Sequence, residues 1–528
     1  MNTSRICARW GGIAAAAVLA VCLRLPSIEA QTPPMVDIRG GTIRGLRLNE
    51  GAVFRGVPYA APPVGALRWR EPMPVEAWSG TRDATEFGSI CPQNAGAAIP
   101  NALDIISEDC LFLNVWTAEW PIASRRPVLV FIPGGGNING AGSEARSDGS
   151  HLARRGIVVV TLNYRLGSFG FFSHAALTAE SPHQASGNQG LLDQIAALRW
   201  VRANIDRFGG DPDAITLAGI SAGAVDVTAL MTSPLTTGLF RRAVMQSGPA
   251  RNVLGQPLSR ADAEEQGAAH TRSWGASVDA TLRDLRSIPM AIILKSQPAR
   301  PVPYLNVSID GHVVLMPPAD AFAKGRQHAV PAIMGNAARD FTPGAEPPAD
   351  LDAVIARAYG PLAANARPLY ASADELHGTP EVQWATDVGF RCGTVMQLMQ
   401  HAATGQPVFA YEFARLVMPE VQPGGNLHGV DTGYVFGTFA TRGQGNKLAP
   451  ITVTPGDAAL SDGMQRYWVN FVKTGNPNGP GLTLWPVFNA SARQYLEFTG
   501  TGTMARNSLR RPQCDLYAGN EERVRPWR

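Results

Sequence analysis

A serine between two glycines is the residue whose surroundings point most directly to chemistry. Ser221 lies in the pentapeptide GISAG at 219–223, which fits the pattern G-x-S-x-G. The strand-like run AITLA precedes the motif, and the helix-like run AVDVTALM follows it. A strand and a helix on these two sides predict a tight turn that exposes the serine hydroxyl. The pattern therefore predicts that Ser221 is a nucleophile.

A serine nucleophile also needs donors for the oxyanion that forms during acyl transfer. Gly134, Gly135 and Gly136 follow the apolar run RPVLVFI at 126–132, after Pro133. Glycines at the end of a strand leave their N–H groups free to face a pocket. We expect these amides, with the N–H of Ala222, to form an oxyanion hole.

The general base is expected late in the chain, because the order in this kind of fold is serine, acid, histidine. Three histidines lie in that region. His401 ends an amphipathic pattern typical of a surface position, and His377 lies in a polar stretch. His428 lies in the glycine-flanked loop GGNLHG before an aromatic segment, so the sequence favours His428 as the base.

These residues require a scaffold in which strands alternate with helices. The run at 189–208 has apolar residues at helical spacing, and FGGDPD ends it. Short apolar runs indicate buried strands at 126–132, 156–163, 214–218, 239–246 and 330–334. This order predicts an α/β fold with a mostly parallel central sheet and helices on both faces. Residues 255–325 and 345–405 are predicted to be helical insertions.

Length and composition indicate a globular chain. It has 528 residues, 45% of them hydrophobic and 17% charged, with a net charge of +3. The near balance of charge does not favour nucleic acid as a partner. No linker divides residues 31–528, so we predict one domain there. No zinc-binding or phosphate-loop spacing occurs, so the sequence predicts no metal and no organic cofactor.

The first 30 residues have the pattern of a secretory signal peptide. Two arginines precede the apolar run at 11–23, which is too short for an ordinary membrane span, and small residues lead to Ala30. The alternatives are a buried helix and a lipid anchor on Cys22. No later apolar run reaches 18 residues, so no membrane span is expected after cleavage. The protein is predicted to be secreted or periplasmic.

Four cysteines remain after the predicted signal peptide: Cys91, Cys110, Cys392 and Cys514. Export to an oxidising compartment favours disulfides over free thiols. Four cysteines allow three connectivities, and loop length favours a short Cys91–Cys110 bridge with a second one near the C-terminus.

Long blocks of the chain resemble the type-B carboxylesterases, the cholinesterase-like branch of the α/β-hydrolases. The matching blocks include FRGVPYAAPPVGALRW at 54–69, SEDCLFLNVW at 107–116 and HGVDTGYVFG at 428–437. The resemblance covers essentially all of 31–528. It implies the α/β-hydrolase fold and an acyl-enzyme mechanism with Ser221 as nucleophile and His428 as base. It further implies oxyanion donors at Gly135, Gly136 and Ala222, and the disulfides Cys91–Cys110 and Cys392–Cys514.

The acid of the triad is usually a glutamate five residues after a strand-ending glycine in this family. In this chain GNAARD at 335–340 places Asp340 at that position, one methylene shorter. Asp340 is therefore predicted to orient His428. Glu346 and Asp226 are the alternatives, although Asp226 also fits a plain position on a helix surface.

Two further departures from the family concern the substrate pocket. Ile220 stands where a glutamate usually precedes the nucleophile, and Asn137 stands where an aromatic residue usually follows the glycines. We expect both side chains to line the pocket. Ile220 should make the pocket less attractive to cations, and Asn137 should make its wall more polar.

The sequence thus predicts a serine carboxylesterase that acts on a small-molecule ester through a Ser-His-Asp triad. One alternative is an esterase for anionic esters, such as the tricarballylate side chains of fumonisin-type toxins. Another is a catalytically silent, cholinesterase-like binding module, and the same triad also suits amides or lactones. The sequence makes no prediction about the oligomeric state.

Overall fold

A computed structural model describes residues 32–94, 105–252, 256–277, 279–342, 347–416, 425–442, 448–450 and 453–520. Pro34–Arg528 is one compact unit. The predicted signal peptide at 1–30, with the alternative lipid anchor at Cys22, lies outside the described residues. The alternative acid Glu346 lies outside them as well.

An eleven-stranded sheet forms the centre of this unit. Its strands, in spatial order, are Gly502–Arg506, Tyr495–Thr499, Val408–Phe413, Ala332–Ala337, Arg242–Gln246, Gly210–Ile220, Arg126–Ile132, Val158–Leu162, Phe112–Thr117, Ala52–Pro58 and Leu46–Arg47. The seven strands from Tyr495–Thr499 to Val158–Leu162 are parallel to one another. The outer pairings at both edges are antiparallel.

The parallel strands are covered on both faces, as continuous apolar runs require. In the strand Arg126–Ile132, Val128 and Val130 belong to one hydrophobic cluster, whereas Leu129 and Phe131 belong to a second cluster. Because successive side chains in a strand point to opposite faces, these clusters are the two layers that pack against the sheet. The predicted α/β class and its mostly parallel sheet are confirmed.

The helices that cover the sheet and fill the insertions are mostly short. The α-helices are Ser150–Ala153, Gly167–Gly170, Ala175–Glu180, Gln189–Asn204, Ala222–Leu230, Arg260–Thr271, Leu282–Ser287, Met290–Lys295, Pro318–Ala323, Leu351–Tyr359, Ala363–Ala366, Pro380–Thr386, Cys392–Ala402, Val430–Phe436, Pro455–Thr474 and Arg511–Ala518. A π-helical turn, Asp387–Arg391, leads directly into Cys392–Ala402. No helix among the described residues is long and apolar enough to cross a membrane.

The predicted elements are present, with shifted ends. The helix predicted at 189–208 ends at Asn204 and continues as a 3₁₀ turn, Ile205–Phe208, before Gly209 stops it with φ of 75°. The strand predicted at 214–218 is longer, Gly210–Ile220, because it pairs on both sides in the middle of the sheet. The strand predicted at 330–334 begins at Ala332 and extends to Ala337.

Three smaller sheets complete the described strands. Met35–Ile38, Gly41–Arg44 and Thr81–Asp83 form one, Leu258–Ser259 and Ser308–Ile309 form another, and Ala440–Arg442 pairs with Leu448–Pro450.

Two disulfides join the cysteines as the family resemblance implied. Cys91 is bonded to Cys110 across 19 residues, and Cys392 is bonded to Cys514 across 122 residues. The second bond fastens the C-terminal helix Arg511–Ala518 to the start of Cys392–Ala402.

Candidate active site

Ser221 occupies the sharp turn between the strand Gly210–Ile220 and the helix Ala222–Leu230. Its φ of 56° and ψ of −126° are strained for a residue with a side chain. Gly223 makes the turn sterically feasible, because a Cβ there would come within 2.3 Å of the carbonyl oxygen of Ile132. The turn is the nucleophile elbow that the motif predicts.

His428 reaches this serine from a loop just before the helix Val430–Phe436. Its Nε2 lies 2.8 Å from Oγ of Ser221, and its Nδ1 lies 2.5 Å from Oδ1 of Asp340. The ring of Phe390 packs against the imidazole with 5.0 Å between centroids. The imidazole is therefore held between a hydroxyl and a carboxyl group.

Asp340 follows the strand Ala332–Ala337 and is fully buried. Its second oxygen accepts hydrogen bonds from Oγ of Ser247 at 2.6 Å and from the N–H of Ala337 at 3.1 Å. Burial by itself would raise the pKa of Asp340. The charge of His428 and these hydrogen bonds outweigh it and hold the pKa below its usual value.

The three side chains meet because their loops leave the sheet at the same edge. Ser221 and Asp340 both follow the carboxyl ends of parallel strands, where α/β folds place their sites. Asp340 has no exposed surface, whereas Ser221 is partly exposed and the side chain of His428 is 15% exposed. A substrate in solution can reach the hydroxyl, while the carboxyl group stays shielded from water.

The predicted oxyanion donors lie beside the serine. A Cβ on Gly134 would come within 2.9 Å of Cβ of Ser221, so the glycine segment packs directly against the elbow. Among the described residues, no acceptor takes the N–H of Gly135 or Gly136. Ala222 is the first residue of its helix, so its N–H has no partner within that helix.

The structure contradicts the prediction that Ile220 and Asn137 line the substrate pocket. Both residues are fully buried. Ile220 points into the hydrophobic cluster that contains Phe131, because it is the last residue of a strand whose side chains alternate between the two faces. Asn137 is turned inward, and its side-chain amide donates to Asp226 at 3.0 Å.

Three other side chains that the sequence offered as a possible acid or base do not bond to Ser221, His428 or Asp340. Asp226 is fully buried, not at a helix surface, and bonds to Asn137 rather than to His428. His401 is buried too, contrary to the predicted surface position, and its Nε2 donates to the carbonyl of Val330 at 2.8 Å. His377 lies between Asp374 and Glu412.

Two residues of the site were missed at the sequence level. Ser247 directly follows the strand Arg242–Gln246, which neighbours that of Ser221, and it donates to Asp340. Its position just after a buried strand was the available signal. Arg391 is fully buried and donates to the carbonyl of Ala338 at 2.7 Å, which ties down the turn that carries Asp340. A buried arginine inside a helical run gives no comparable signal.

Nothing in the Ser221 site resembles a metal centre. Among the described residues, one group of side chains could bind a metal: Glu71, His183 and His312. None of the three takes part in the hydrogen bonds of Ser221, His428 and Asp340. The prediction that catalysis needs no metal stays a prediction.

The comparison with protein families decides the assignment. The model of the Carboxylesterase family matches residues 32–351 and 372–517. The chain belongs to the carboxylesterase family. It is similar to Fumonisin B1 esterase of Sphingopyxis macrogoltabida, with 34% identity over 87% of this chain and 86% of the relative. It is also similar to Para-nitrobenzyl esterase of Bacillus subtilis (strain 168), with 34% identity over 88% of this chain and 94% of the relative.

Solved structures agree with this assignment. A structure of PNB esterase matches with a TM-score of 0.78 and 31% identity, over 92% of this chain and 99% of that chain. A structure of a thermophilic PNB esterase matches with a TM-score of 0.77. The fold is therefore the α/β-hydrolase fold. The protein is a carboxylic ester hydrolase.

Proposed function

We propose that this carboxylesterase cleaves esters through an acyl-enzyme, with Ser221 as nucleophile, His428 as general base and acid, and Asp340 as the orienting carboxylate. The observation that carries the proposal is the unbroken chain of short contacts, 2.8 Å from Ser221 to His428 and 2.5 Å from His428 to Asp340. Nε2 of His428 is placed to accept the proton of Ser221, and Nδ1 is placed to donate to Asp340.

In the first half-reaction, Oγ of Ser221 attacks the ester carbonyl while Nε2 of His428 accepts its proton. The carbonyl oxygen becomes an oxyanion, to which Gly135, Gly136 and Ala222 donate their N–H groups. His428 then passes the proton to the leaving alcohol as the C–O bond breaks. In the second half-reaction, water attacks the acyl-enzyme by the same route and releases the acid.

We further propose that residues 1–30 are a cleaved signal peptide and that residues 31–528 form a single secreted or periplasmic domain. The two disulfides support this proposal, because disulfides persist in oxidising compartments and are rare in the cytosol.

The catalytic proposal is tested with Ser221→Ala and a p-nitrophenyl ester. Removing the nucleophile should lower kcat by about 10⁶-fold, since the remaining groups cannot form an acyl-enzyme. The circular dichroism spectrum of the variant should match that of the parent protein. Hydrolysis at the parent rate by Ser221→Ala would refute the assignment.

A preference for anionic esters is a second candidate at the level of substrate. It is favoured by the similarity to Fumonisin B1 esterase. The test compares an ester of tricarballylic acid with the same ester whose free carboxyl groups are methylated. A higher kcat/KM for the anionic ester would support the preference, and a higher value for the methylated one would refute it.

A further inference from the structure

A buried polar network lies beneath the predicted oxyanion hole and links it to the helix that follows Ser221. Nδ2 of Asn137 donates to Oδ1 of Asp226 at 3.0 Å, and Nε2 of Gln194 donates to Oδ2 of Asp226 at 2.6 Å. All three residues are fully buried. Asn137 directly follows the glycines, whereas Asp226 lies within Ala222–Leu230.

A second partner fixes the other side of the Asn137 amide. The hydroxyl of Tyr164 donates to Oδ1 of Asn137 at 2.8 Å and lies 3.2 Å from the carbonyl oxygen of Pro133. Asn137 has φ of 59°, in the left-handed region that asparagine adopts more readily than most L-residues, and its side-chain bonds hold it there. Both ends of the segment 133–137 are thus anchored to one buried network.

Both groups that bond to the carboxyl group of Asp226 are N–H donors, so the ionised carboxylate, which can only accept, satisfies both of them. Burial nevertheless raises its pKa to about 7, and the amides of Gln194 and Asn137 oppose the rise. The groups that face it are neutral amides, and no charged side chain among the described residues contributes to its pKa. Tyr164, which bonds to Asn137, is the other titratable member of the network.

We propose that Asp226 is a positioning residue for ester hydrolysis: through Asn137 it holds the amides of Gly135 and Gly136 in register with Ser221. The proposal rests on the function proposed above and adds a residue to it. A displaced donor loses transition-state stabilisation without altering ground-state binding, so kcat is the parameter affected.

The experiment compares Asp226→Ala and Asp226→Asn with a matched control on the same helix. Thr228→Val removes a buried hydroxyl that donates to the carbonyl of Gly248 at 3.2 Å and leaves Asn137 untouched. Active sites are counted with a fluorophosphonate, so that kcat refers to folded enzyme. Asp226→Ala should lower kcat about tenfold or more with KM within about twofold, Asp226→Asn should lower it less, and Thr228→Val should leave kcat unchanged.

The pH profile separates positioning from a merely structural role. The ratio of kcat between the parent and Asp226→Asn should be greatest above about pH 8 and approach one towards about pH 5, where protonation makes the two side chains alike. A kcat per active site equal to that of the parent in Asp226→Ala, or in Asp226→Asn above about pH 8, would overturn the inference. Activity in Ser221→Ala would instead overturn the proposed function itself.

A second inference comes from an independent cluster beside a cavity of about 230 Å³. The rings of His183 and His312 stack with 3.9 Å between centroids and 9° between planes. Oε2 of Glu71 lies 3.6 Å from Nε2 of His183, and a ligand atom of each residue lies within 4.8 Å of the other two. Glu71 and His312 both line the cavity.

A hydrogen bond also orients the carboxylate of this cluster. Oγ of Ser181 donates to Oε1 of Glu71 at 3.2 Å, which orients the carboxylate as an outer-shell partner does in metal sites.

We infer that Glu71, His183 and His312 form a Zn²⁺ site, since two imidazoles and a carboxylate are a ligand set that zinc favours. Three distant segments of the chain would then be tied together at the edge of the cavity.

The probe is Co²⁺, followed by its visible absorption and by competition with Zn²⁺, on the full-length protein freed of metal. One equivalent should bind to the parent and to the control His151→Ala. Affinity should fall at least tenfold in His312→Ala and in Glu71→Gln, the variant that keeps the size of the side chain. Equal affinity in folded His312→Ala, or no binding to the parent protein, would overturn this inference.

Discussion

The carboxyl group of Asp340 illustrates how a shorter acid serves the same geometry. It is one methylene shorter than the usual glutamate of the family, yet Oδ1 reaches Nδ1 of His428 at 2.5 Å. Its backbone N–H donates to Oγ1 of Thr386 at 2.9 Å, and Arg391 ties down the same turn. These two hydrogen bonds fix the backbone that carries the shorter side chain.

We predict that Asp340→Asn lowers kcat by about 10³- to 10⁴-fold. The amide would fix the wrong tautomer of His428 and could not stabilise the imidazolium that forms. The measurement is the hydrolysis of a p-nitrophenyl ester near neutral pH. A loss of less than tenfold would show that Asp340 does not orient the base.

Burial of Asp226 has a consequence for stability as well as for catalysis. Burial raises the pKa of Asp226 from 3.8 to about 7, so the folded protein holds this proton more tightly than the unfolded chain does. The resulting contribution to the unfolding free energy is complete below about pH 4 and is lost as the pH rises to about 7. Between these limits the unfolding free energy of the parent should fall relative to that of Asp226→Asn by about 4 kcal/mol.

Urea unfolding of the parent and of Asp226→Asn at several pH values measures this difference. Loss of the Gln194 hydrogen bond in the variant adds an offset, which does not change with pH. A difference that stays constant from about pH 4 to about pH 8 would contradict the predicted pKa effect.

At the level of elements, the C-terminal helix is held by a covalent bond. Cys392–Cys514 closes a loop of 122 residues, whereas Cys91–Cys110 closes one of 19 residues. Bonds that close longer loops restrict the unfolded chain more strongly.

The double variant Cys392→Ser/Cys514→Ser should therefore lose about 5 kcal/mol of unfolding free energy, and Cys91→Ser/Cys110→Ser about 3 kcal/mol. Urea unfolding of both variants tests the order. A greater loss in the second variant would show that native packing, rather than loop closure, determines the contribution of each disulfide.

The elements around Ser221 and His428 could be predicted because their local signals are strong. The GISAG motif lies between an apolar strand and an apolar helix, and the sequence order of serine and histidine limits the candidates for the base. Strand ends were less accurate. The strand that contains Ile220 extends beyond the predicted AITLA through polar residues, which pair because of their neighbours in the sheet.

The inward position of Asn137 and Asp226 could not be predicted from the sequence. These residues are separated by 89 positions, and each is polar, which on its own favours the surface. Only the folded chain brings the amide and the carboxyl group together, so that each satisfies the other. The same reason explains why the burial of His401 was missed, because its partner, the carbonyl of Val330, lies 71 positions away.

For the molecule as a whole, the compact unit Pro34–Arg528 agrees with the absence of a linker in the sequence. The family assignment rests on matches that span most of the chain, 32–351 and 372–517, rather than on the elbow motif alone. Residues 1–30, which precede this unit, are the part that we propose to be removed on export.

We predict that expression of the full gene product in a secreting bacterial host yields a mature chain that begins at Gln31. N-terminal sequencing and intact mass of the exported protein test this expectation. A chain that keeps its first 30 residues would contradict the signal-peptide proposal, and a lipid on Cys22 would support the anchor instead.

The measurement that tests the central claim most directly is peptide mapping after reaction with a fluorophosphonate. Our account predicts one label per chain, attached to Oγ of Ser221, with labelling slowed by at least about 10³-fold in His428→Ala because the base that activates the hydroxyl is missing. A label on a different residue, or a labelling rate unchanged in His428→Ala, would contradict it.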